Sequence, residues 1–315
     1  LKSIPMKNQV SIKEKVTLEG VNVFPWPLKR KIKAIFHPAE DNTGLVFIVN
    51  GERVPAKLDY AFNHRYPSKS FGASLISLRY DGQTAVKVEH LLSAVYSLGI
   101  NNLYIELSHG ICPRTDHGTG EIVDALSPVL QEGIAPKKIL QVAQDTKLST
   151  NRNRTTVSAK KAPGAYLNCS VSYPHFSVGQ QELTICLDQE SYKREIMCAR
   201  PIFFLPFGSR ALLDTPLKYL HGIRDENSLL IGNREATHYL NDDFPNCYDD
   251  LAFARHKIMD EIGTLALTGA EFENTQFEFR NSYHSFDLQA LKEMFKIGIF
   301  REQTSSSQSP LEVRI

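Results

Sequence analysis

The sequence predicts an α+β fold made of two similar halves, and three features of its pattern lead to that class. Alternating apolar and polar residues predict many short strands, and apolar residues at helical spacing predict a few helices. Each half runs through strands to a helix with a histidine near its start, then to a glycine and a further alternating strand. The turn-rich stretch 133–138 separates the halves. We therefore expect an internal duplication, with a first α+β domain at residues 1–135, a second at 136–300 and a loose C-terminal tail at 301–315.

The first half is predicted to contain five strands and two helices. The strands are expected at residues 8–20, 29–36, 45–49, 73–80 and 103–107. One helix is expected at 88–99, where apolar residues recur every three or four positions, and another at 121–131. Asn50 and Gly51 form a hairpin signal, because both residues tolerate a left-handed backbone. Residues 52–72 are expected to be loop-rich.

The second half is predicted to repeat this succession of strands and helices. Its strands are expected at residues 139–148, 155–161, 165–171, 182–187 and 275–280. Its helices are expected at residues 189–200, 249–268 and 287–295. Residues 202–235 form an irregular segment rich in phenylalanine and leucine, and residues 281–285 are expected to be a loop.

Composition places the chain among soluble globular proteins and excludes several functional classes. The formal net charge of +1 over 315 residues argues against general nucleic-acid binding and against attachment to a membrane surface. No apolar run approaches the roughly 18 residues of a membrane span, and the first residues lack the apolar core of a signal peptide. The five cysteines are widely spaced without a CxxC pair, which indicates reduced thiols in a cytoplasmic protein. Any metal site must therefore use histidine and carboxylate ligands.

The first candidate site is the adjacent pair Glu89 and His90 near the start of the helix at 88–99. Neighbouring helical residues point about 100° apart, so both side chains can address one cleft from adjacent directions. A histidine beside a glutamate is typical of a metal ligand beside a general base. The alternative is a helix with an ordinary polar first turn, and the dipeptide alone does not decide between the two.

The second candidate site is the helix 249–268, in which His256 and Asp260 are four residues apart. This spacing places both side chains on one face, which makes them a two-ligand half-site for zinc, although the same spacing also occurs in plain surface hydrogen bonds. A catalytic zinc has three protein ligands and one open position. His90 is the natural third ligand.

These two stretches resemble a known family, the zinc-dependent UDP-3-O-acyl-N-acetylglucosamine deacetylases of lipid A biosynthesis. The resemblance is clearest in residues 88–104, which begin Val88-Glu89-His90-Leu91, and in residues 255–263, which begin Arg255-His256-Lys257. A looser resemblance covers Ala199-Arg200 and His284. In style and order, the similarity spans roughly residues 8–295.

The resemblance implies two α+β domains of similar topology, packed helix layer to helix layer, with the active site between them. It implies three zinc ligands, which are His90, His256 and Asp260. Glu89 would be the general base that takes a proton from the zinc-bound water. His284 would be the cation that stabilises the oxyanion and protonates the leaving amine.

The resemblance also implies how the substrate is held. Lys257 would contact the nucleotide-sugar, and the segment 202–235 would form the passage for the acyl chain. Phe203 and Phe204 are the substrate-binding candidates in that segment, although a plain core segment would have the same composition. The implied substrate is a small molecule, an acylated UDP-amino sugar. A monomer without nucleic-acid partners and without an integral membrane segment is expected.

Several positions depart from the family pattern. Thr264 stands where the family has an acidic residue that partners the catalytic histidine, and Pro201 stands where it has a threonine that helps to hold the oxyanion. Tyr283 replaces a glycine, residues 23–27 replace a Gly-Leu-His-type loop, and residues 115–119 only partly match a Met-Asp-Gly-Ser-type loop. Three hypotheses follow: the lipid A deacetylase, a paralogue that deacylates another N-acylated sugar or nucleotide, and a non-catalytic relative that binds zinc or a ligand.

Overall fold

The computed structural model of the chain describes seven stretches of its sequence. These are residues 8–21, 31–65, 74–150, 154–173, 179–204, 228–231 and 251–303. The expected loop at 23–27 and most of the segment 202–235 lie outside the described residues. In the part that is described, no helix has the length and apolar composition needed to cross a membrane.

The described residues of the first half form ten strands and two α-helices. The strands are β1 (Asn8–Ile12), β2 (Val16–Val21), β3 (Lys31–His37), β4 (Leu45–Val49), β5 (Glu52–Pro55), β6 (Ala61–Arg65), β7 (Ser74–Tyr80), β8 (Gln83–Val86), β9 (Leu103–Leu107) and β10 (Leu130–Pro136). The helices are α1 (Glu89–Ser97) and α2 (Gly120–Leu126), with 3₁₀ turns at Leu58–Tyr60 and Ser127–Val129. The predicted helix at 121–131 is therefore too long, because Pro128 lacks an N–H and ends it.

The described part of the second half is built from ten further strands and three α-helices. The strands are β11 (Ile139–Val142), β12 (Thr146–Thr150), β13 (Thr155–Lys161), β14 (Ala165–Ser172), β15 (Gln180–Cys186), β16 (Ile202–Phe204), β17 (Leu229–Ile231), β18 (Glu271–Phe272), β19 (Thr275–Arg280) and β20 (Phe300–Glu302). The helices are α3 (Gln189–Glu195), α4 (Ala252–Ala266) and α5 (His284–Lys296).

Each half is organised around a five-stranded sheet of the same topology. The first sheet has the order β2-β3-β9-β4-β5, and the second has the order β12-β13-β19-β14-β15. In each sheet one inner pair is parallel, β4 with β9 and β14 with β19, and the other pairs are antiparallel. This equivalence confirms the predicted α+β class with two similar units.

The apolar faces of the sheets and helices build one continuous core. Phe36 and Phe47 from the first sheet are fully buried, as are Phe277 from the second sheet and the helical residues Leu92 and Ile258. A polar residue alternates with an apolar one along most of these strands, so one face of each sheet packs on helices and the other is partly exposed.

Helices α1 and α4 cross in close contact at the centre of the molecule. A Cβ atom added at Gly263 of α4 would overlap the backbone carbonyl of Glu89 at the start of α1. Only a glycine allows the two backbones to approach this closely. The residues predicted to act together from α1 and α4 are neighbours because of this contact.

Several boundaries differ from the sequence predictions. The single strands expected at 8–20 and 139–148 are each two strands, and the region 52–72 contains β5 and β6 rather than only loop. Helix α5 begins at His284, which was expected in a loop. The expected tail begins inside β20, which pairs with β11, and residues 304–315 lie outside the described residues.

Candidate metal centre

The first turn of α1 presents Glu89 and His90 from a tightly held backbone. Lys87, two residues before the helix, has a left-handed backbone with φ of 61°, which turns the chain from β8 into α1. The Val88 N–H donates to the Ile76 carbonyl at 3.0 Å, and the Ile76 N–H donates to Glu89 Oε2 at 3.1 Å. Strand β7 thus fixes both the start of the helix and the orientation of the Glu89 carboxylate.

Helix α4 supplies the other half of the site from its interior. His256 lies on the second turn of α4, and Asp260 follows one turn later on the same face. His90 Nε2 lies 3.1 Å from Asp260 Oδ1 and 3.2 Å from His256 Nε2. His256 Nε2 is 3.9 Å from Asp260 Oδ1. The structure therefore brings together all three predicted ligands, one from α1 and two from α4.

The protonation states of these groups suit a cation. Burial lowers the pKa of His256 to about 3 and also lowers the pKa of His90, so both imidazoles are neutral at pH 7. Burial opposes the charge of Asp260, but the neighbouring imidazoles and Lys257 hold the pKa of its carboxyl well below the usual range. Two neutral ring nitrogens and one carboxylate oxygen face the same point.

This donor set fits zinc in chemistry and in spacing. Zinc binds histidine nitrogen and carboxylate oxygen at about 2.0–2.2 Å, which places two ligands of one tetrahedral ion roughly 3.3 Å apart. The contacts of His90 at 3.1 and 3.2 Å agree with that spacing. Without a cation, the contact between His90 and His256 at 3.2 Å is a hydrogen bond in which one imidazole donates its N–H; a metal would instead take a lone pair from each ring.

Glu89 is a buried carboxyl beside the three ligands. Burial raises its pKa to about 8, and the negative charge of Asp260 acts in the same direction. A general base works best when its pKa lies near the operating pH, and this environment moves Glu89 toward that range. Its position next to His90 leaves the carboxylate free of the predicted ligand set.

Lys257 lies among carboxylates on the far side of Asp260. Its Nζ is 3.6 Å from Asp260 Oδ2 and 3.7 Å from Asp287 Oδ2. Burial would lower the pKa of this ammonium, but Asp287, Asp260 and Glu261 together raise it above the ordinary value. Lys257 is therefore cationic, and it is held in place by α4 and α5.

His284 is the first residue of α5, and its Nε2 lies 3.7 Å from Asp260 Oδ2. Burial is the largest influence on its imidazole and lowers its pKa to about 4. Its Nδ1 is buried without a hydrogen-bond partner among the described residues. The hydroxyl of Thr264 donates to the Asp260 backbone carbonyl at 3.0 Å, so its hydrogen bond stays within α4.

The sequence analysis missed two buried carboxyl groups beside this centre. Glu261 Oε1 accepts a hydrogen bond from Ser282 Oγ at 3.2 Å, and Asp287 lies one turn along α5 from His284. The helical spacing of His284 and Asp287 was the available signal, but it was lost when 281–285 was expected to be a loop. Glu261 had no signal, because an acidic residue next to Asp260 resembles an exposed helical charge.

The predicted substrate-binding phenylalanines lie on strand β16. Phe203 pairs with Leu230 and Phe204 pairs with Ile231 in a parallel two-stranded sheet. Their side chains are outside the described ones, so their contact with an acyl chain stays a prediction. Pro201 precedes this strand, and its carbonyl accepts from the Leu229 N–H at 2.8 Å.

Comparison with known proteins agrees with this arrangement. A family model described as LpxC, UDP-3-O-acyl N-acetylglycosamine deacetylase, matches residues 9–296. A UDP-3-O-acyl-N-acetylglucosamine deacetylase of Thermodesulfovibrio yellowstonii is 26% identical over 94% of each chain. Proteins with the same description from Nitratidesulfovibrio vulgaris and Coxiella burnetii are 25% and 27% identical, over 84% and 92% of this chain and 81% and 90% of theirs.

The family match covers both duplicated units and the whole candidate centre, from α1 through α5. The relatives align over nearly their full length, so the similarity is not confined to one motif. The resemblance noted in the two histidine motifs is thereby confirmed: the chain belongs to the UDP-3-O-acyl N-acetylglycosamine deacetylase family.

Proposed function

We propose that this protein is a zinc-dependent amide hydrolase that removes the N-acetyl group from UDP-3-O-acyl-N-acetylglucosamine in lipid A biosynthesis. The observation that carries the proposal is the convergence of His90, His256 and Asp260 beside a buried Glu89, in a chain of the deacetylase family. Three ligands with an adjacent base are the minimum that metal-assisted amide hydrolysis requires. A cytoplasmic, monomeric protein remains our expectation.

The roles of the side chains follow from their positions. Zinc, when held by His90, His256 and Asp260, supplies Lewis-acid polarisation of the acyl carbonyl and acidifies a bound water. Glu89 accepts the proton of the attacking water, because it adjoins the ligand His90 on α1, lies outside the ligand set and has a pKa raised to about 8. The buried surroundings exclude bulk water and strengthen the electrostatic interactions of each charged group.

The second half of the molecule handles the leaving group. His284 contacts the carboxylate oxygen of Asp260 that His90 does not contact, and the family pattern gives it the role of proton donor to the amide nitrogen. Burial lowers its pKa to about 4, so its imidazole would have to gain a proton during the reaction before passing one on as the C–N bond breaks. Lys257 presents a cation held by Asp260 and Asp287, and its role in binding the nucleotide-sugar rests on the family pattern. One side of the centre thus takes a proton and the other returns it.

The ligand assignment is tested by measuring metal content in variants. We expect His256→Ala to lose most of the bound zinc in protein purified without added metal, since one of three ligands is removed. The matched control is His37→Ala, which removes a histidine that pairs with Glu106 on the exposed side of the first sheet. Unchanged zinc in His256→Ala would sink the assignment.

The role of Glu89 is tested separately from metal binding. We expect Glu89→Gln to retain zinc and to lose about 10²–10⁴-fold in kcat for the acylated UDP-amino sugar, because a general base contributes effects of this size. The amide keeps the shape of the carboxylate and cannot accept the proton. If the variant hydrolyses the substrate at the parental rate, Glu89 is only a helix residue.

A second candidate function is favoured by the departures at two positions. Thr264 gives its hydroxyl to the α4 backbone, and Pro201 has neither a hydroxyl nor an N–H to offer an oxyanion. The candidate is a deacylase acting on another N-acylated sugar or nucleotide. If Pro201→Thr and Thr264→Asp both fail to improve turnover of the acyl-GlcNAc nucleotide, this second candidate is preferred.

A further inference from the structure

Asp287 is a buried carboxyl near the metal centre to which the mechanism gives no role of its own. It lies in the first turn of α5, and only 1% of the residue is exposed. Neither of its carboxylate oxygens has a hydrogen-bond partner among the described residues. A buried carboxylate without such partners is costly, so its charge must be balanced by a nearby cation.

Lys257 on α4 is the cation that balances Asp287. Its Nζ is 3.7 Å from Asp287 Oδ2, a distance at which opposite charges attract without a hydrogen bond. Burial raises the pKa of Asp287, and Lys257 is the strongest influence against that rise. Burial likewise disfavours the charge of Lys257, and Asp287 is the strongest influence that raises its pKa. The start of α5 also favours a carboxylate, because the N-terminal end of a helix carries a partial positive charge.

Two other carboxyl groups act on Lys257, but each has a further partner. Asp260 Oδ2 is 3.6 Å from Lys257 Nζ, and Asp260 is also a predicted ligand, so a bound metal would compete with Lys257 for its negative charge. Glu261 acts on Lys257 less strongly than Asp287 does, and its Oε1 accepts a hydrogen bond from Ser282 Oγ at 3.2 Å. Once a metal is bound, Asp287 is the carboxylate best placed to hold Lys257.

The two side chains of this ion pair differ in exposure. The Lys257 side chain is 11% exposed, whereas that of Asp287 is 1% exposed. Lys257 can therefore touch a substrate bound at the metal centre, and Asp287 can act on that substrate only through Lys257. A lysine ammonium stands on a long flexible stem, so a fixed anion behind it restricts the positions that it can take.

We propose that Asp287 is a positioning residue, which holds the Lys257 ammonium where it meets the anionic diphosphate of the nucleotide-sugar. The inference rests on the proposed function, in which Lys257 binds that part of the substrate. It gives Asp287 no contact with the substrate and no part in the transfer of protons. Loss of the charge at Asp287 should therefore weaken substrate binding and leave the chemical step nearly unchanged.

The test is a double-mutant cycle on the KM for the acylated UDP-amino sugar, measured with the zinc-loaded protein. Asp287→Asn keeps the shape of the side chain and removes its charge. We expect it to raise KM about tenfold, with kcat within about threefold of the parent, because one charge-assisted contact is weakened. In the Lys257→Met background, Asp287→Asn should leave KM unchanged, since the group through which it acts is gone.

Three outcomes of this cycle would overturn the assignment. A fall in kcat with unchanged KM would mean that Asp287 acts on the metal centre through Asp260. Equal effects of Asp287→Asn in the parent and in Lys257→Met would mean that Asp287 acts independently of Lys257. A larger rise of KM in Glu261→Gln than in Asp287→Asn would make Glu261 the residue that holds the lysine.

Matched variants control for changes in folding. Glu293→Gln removes an exposed carboxyl of the same helix, which pairs with Lys296, and should match the parent. Asp287→Glu keeps the charge and should hold KM within about threefold of the parent. If Asp287→Asn does not fold, ¹⁵N NMR of the lysine ammonium groups of the parent replaces it, with Lys257→Met to assign the signal. The Lys257 ammonium should exchange slowly with water, and exchange as fast as that of the exposed Lys296 would overturn the proposal.

Failure of the proposed function is recognised separately. Calorimetric binding of UDP to the zinc-loaded protein gives the same cycle without turnover, and Asp287→Asn should weaken this binding about tenfold in the parent and not in Lys257→Met. A protein that shows this coupling but hydrolyses no acylated UDP-amino sugar would keep the positioning role and reject the proposed function. A protein that hydrolyses the sugar without the coupling, in KM and in UDP binding, would keep the function and reject the positioning role.

Discussion

The two five-stranded sheets are built alike, but the helices that they carry present their polar residues at different depths. Helix α1 contributes Glu89 and His90 from its first turn. Helix α4 contributes His256, Lys257 and Asp260 from its interior, and nearly all of its residues are buried. Two units of the same topology can therefore form an asymmetric site, because α1 contributes its first turn to the site and α4 contributes its middle turns.

The elements that follow β5 in the first half and β15 in the second half also differ, and each contacts the opposite half. In the first half it is the 3₁₀ turn Leu58–Tyr60, whose Leu58 N–H donates to the Leu267 carbonyl of the second half at 3.0 Å. In the second half it is α3, whose Tyr192 hydroxyl is 2.8 Å from Thr119 Oγ1 of the first half. Each half thus reaches across to the other, and the longer element makes the buried side-chain contact.

The two sides of the metal centre also differ in charge. The first half places Lys87 and Arg114 beside Glu89, whereas the second half places Asp260, Glu261 and Asp287 around Lys257. Two cations thus lie near Glu89, and three carboxyl groups lie near Lys257.

The largest effect is expected from a substitution that disrupts the close contact between α1 and α4. Gly263→Ala should lower the free energy of unfolding by at least about 3 kcal/mol and reduce zinc content, because the new Cβ overlaps the Glu89 carbonyl and separates His90 from α4. Chemical denaturation and elemental analysis measure both. Gly120→Ala in α2 is the matched control, since a Cβ added there meets no neighbouring atom within 4 Å, and it should be neutral or slightly stabilising.

The next largest effect is the pH dependence of stability that the buried Lys87 should cause. The pKa of Lys87 is about 7 in the folded protein and about 10.5 when unfolded, so the unfolded chain binds more protons between these values. The free energy of unfolding of the parent should therefore rise with pH across this window. Relative to Lys87→Met, the rise should total about 2 kcal/mol, less than the full linkage value because a buried site relaxes.

Besides burial, Arg114, Glu89 and Cys112 are the groups that act on the pKa of Lys87. Denaturation curves of the parent and of Lys87→Met at several pH values between 7 and 10 supply the measurement. Parallel curves for the two proteins would mean that Lys87 has an ordinary pKa in the folded state.

The smallest expected effect concerns the contact between α3 and the first half. Tyr192→Phe should lower the free energy of unfolding by about 1 kcal/mol, because it removes a buried hydroxyl that bonds to Thr119 and leaves the ring packed. Thermal denaturation measures the change. Tyr60→Phe, in the equivalent element of the first half, is the control, and a larger loss there would reverse the comparison.

The sequence predicted the parts of this protein that depend on local pattern. The strands at 45–49, 103–107 and 275–280 and the helix that carries His90 follow from periodicity, because side chains repeat with the period of the element. The meeting of His90 with His256 was expected from residue types and from the family resemblance. It could not have been read from periodicity, because nothing local specifies that α1 crosses α4.

The features that were not predicted depend on burial. Lys87, Glu261 and Asp287 look like ordinary surface charges in sequence, and only the packing of α4 against α1 and of α5 against α4 removes them from water. The start of α5 at His284 was also missed, since Tyr283 offers no side-chain cap and the preceding Asn281 and Ser282 favour a turn. The burial of these charged residues depends on contacts between distant parts of the chain, so a local sequence pattern cannot predict it.

The division of the three predicted ligands, one on α1 and two on α4, would give a bound metal a structural role as well as a chemical one. An ion held in this way would cross-link the two duplicated units. The stability of their association would then depend on the concentration of free metal. For a ligand that binds only the folded state, each tenfold rise in concentration above the dissociation constant adds about 1.4 kcal/mol to stability. We therefore expect chelation of the metal to weaken the contact between α1 and α4 before either five-stranded sheet unfolds.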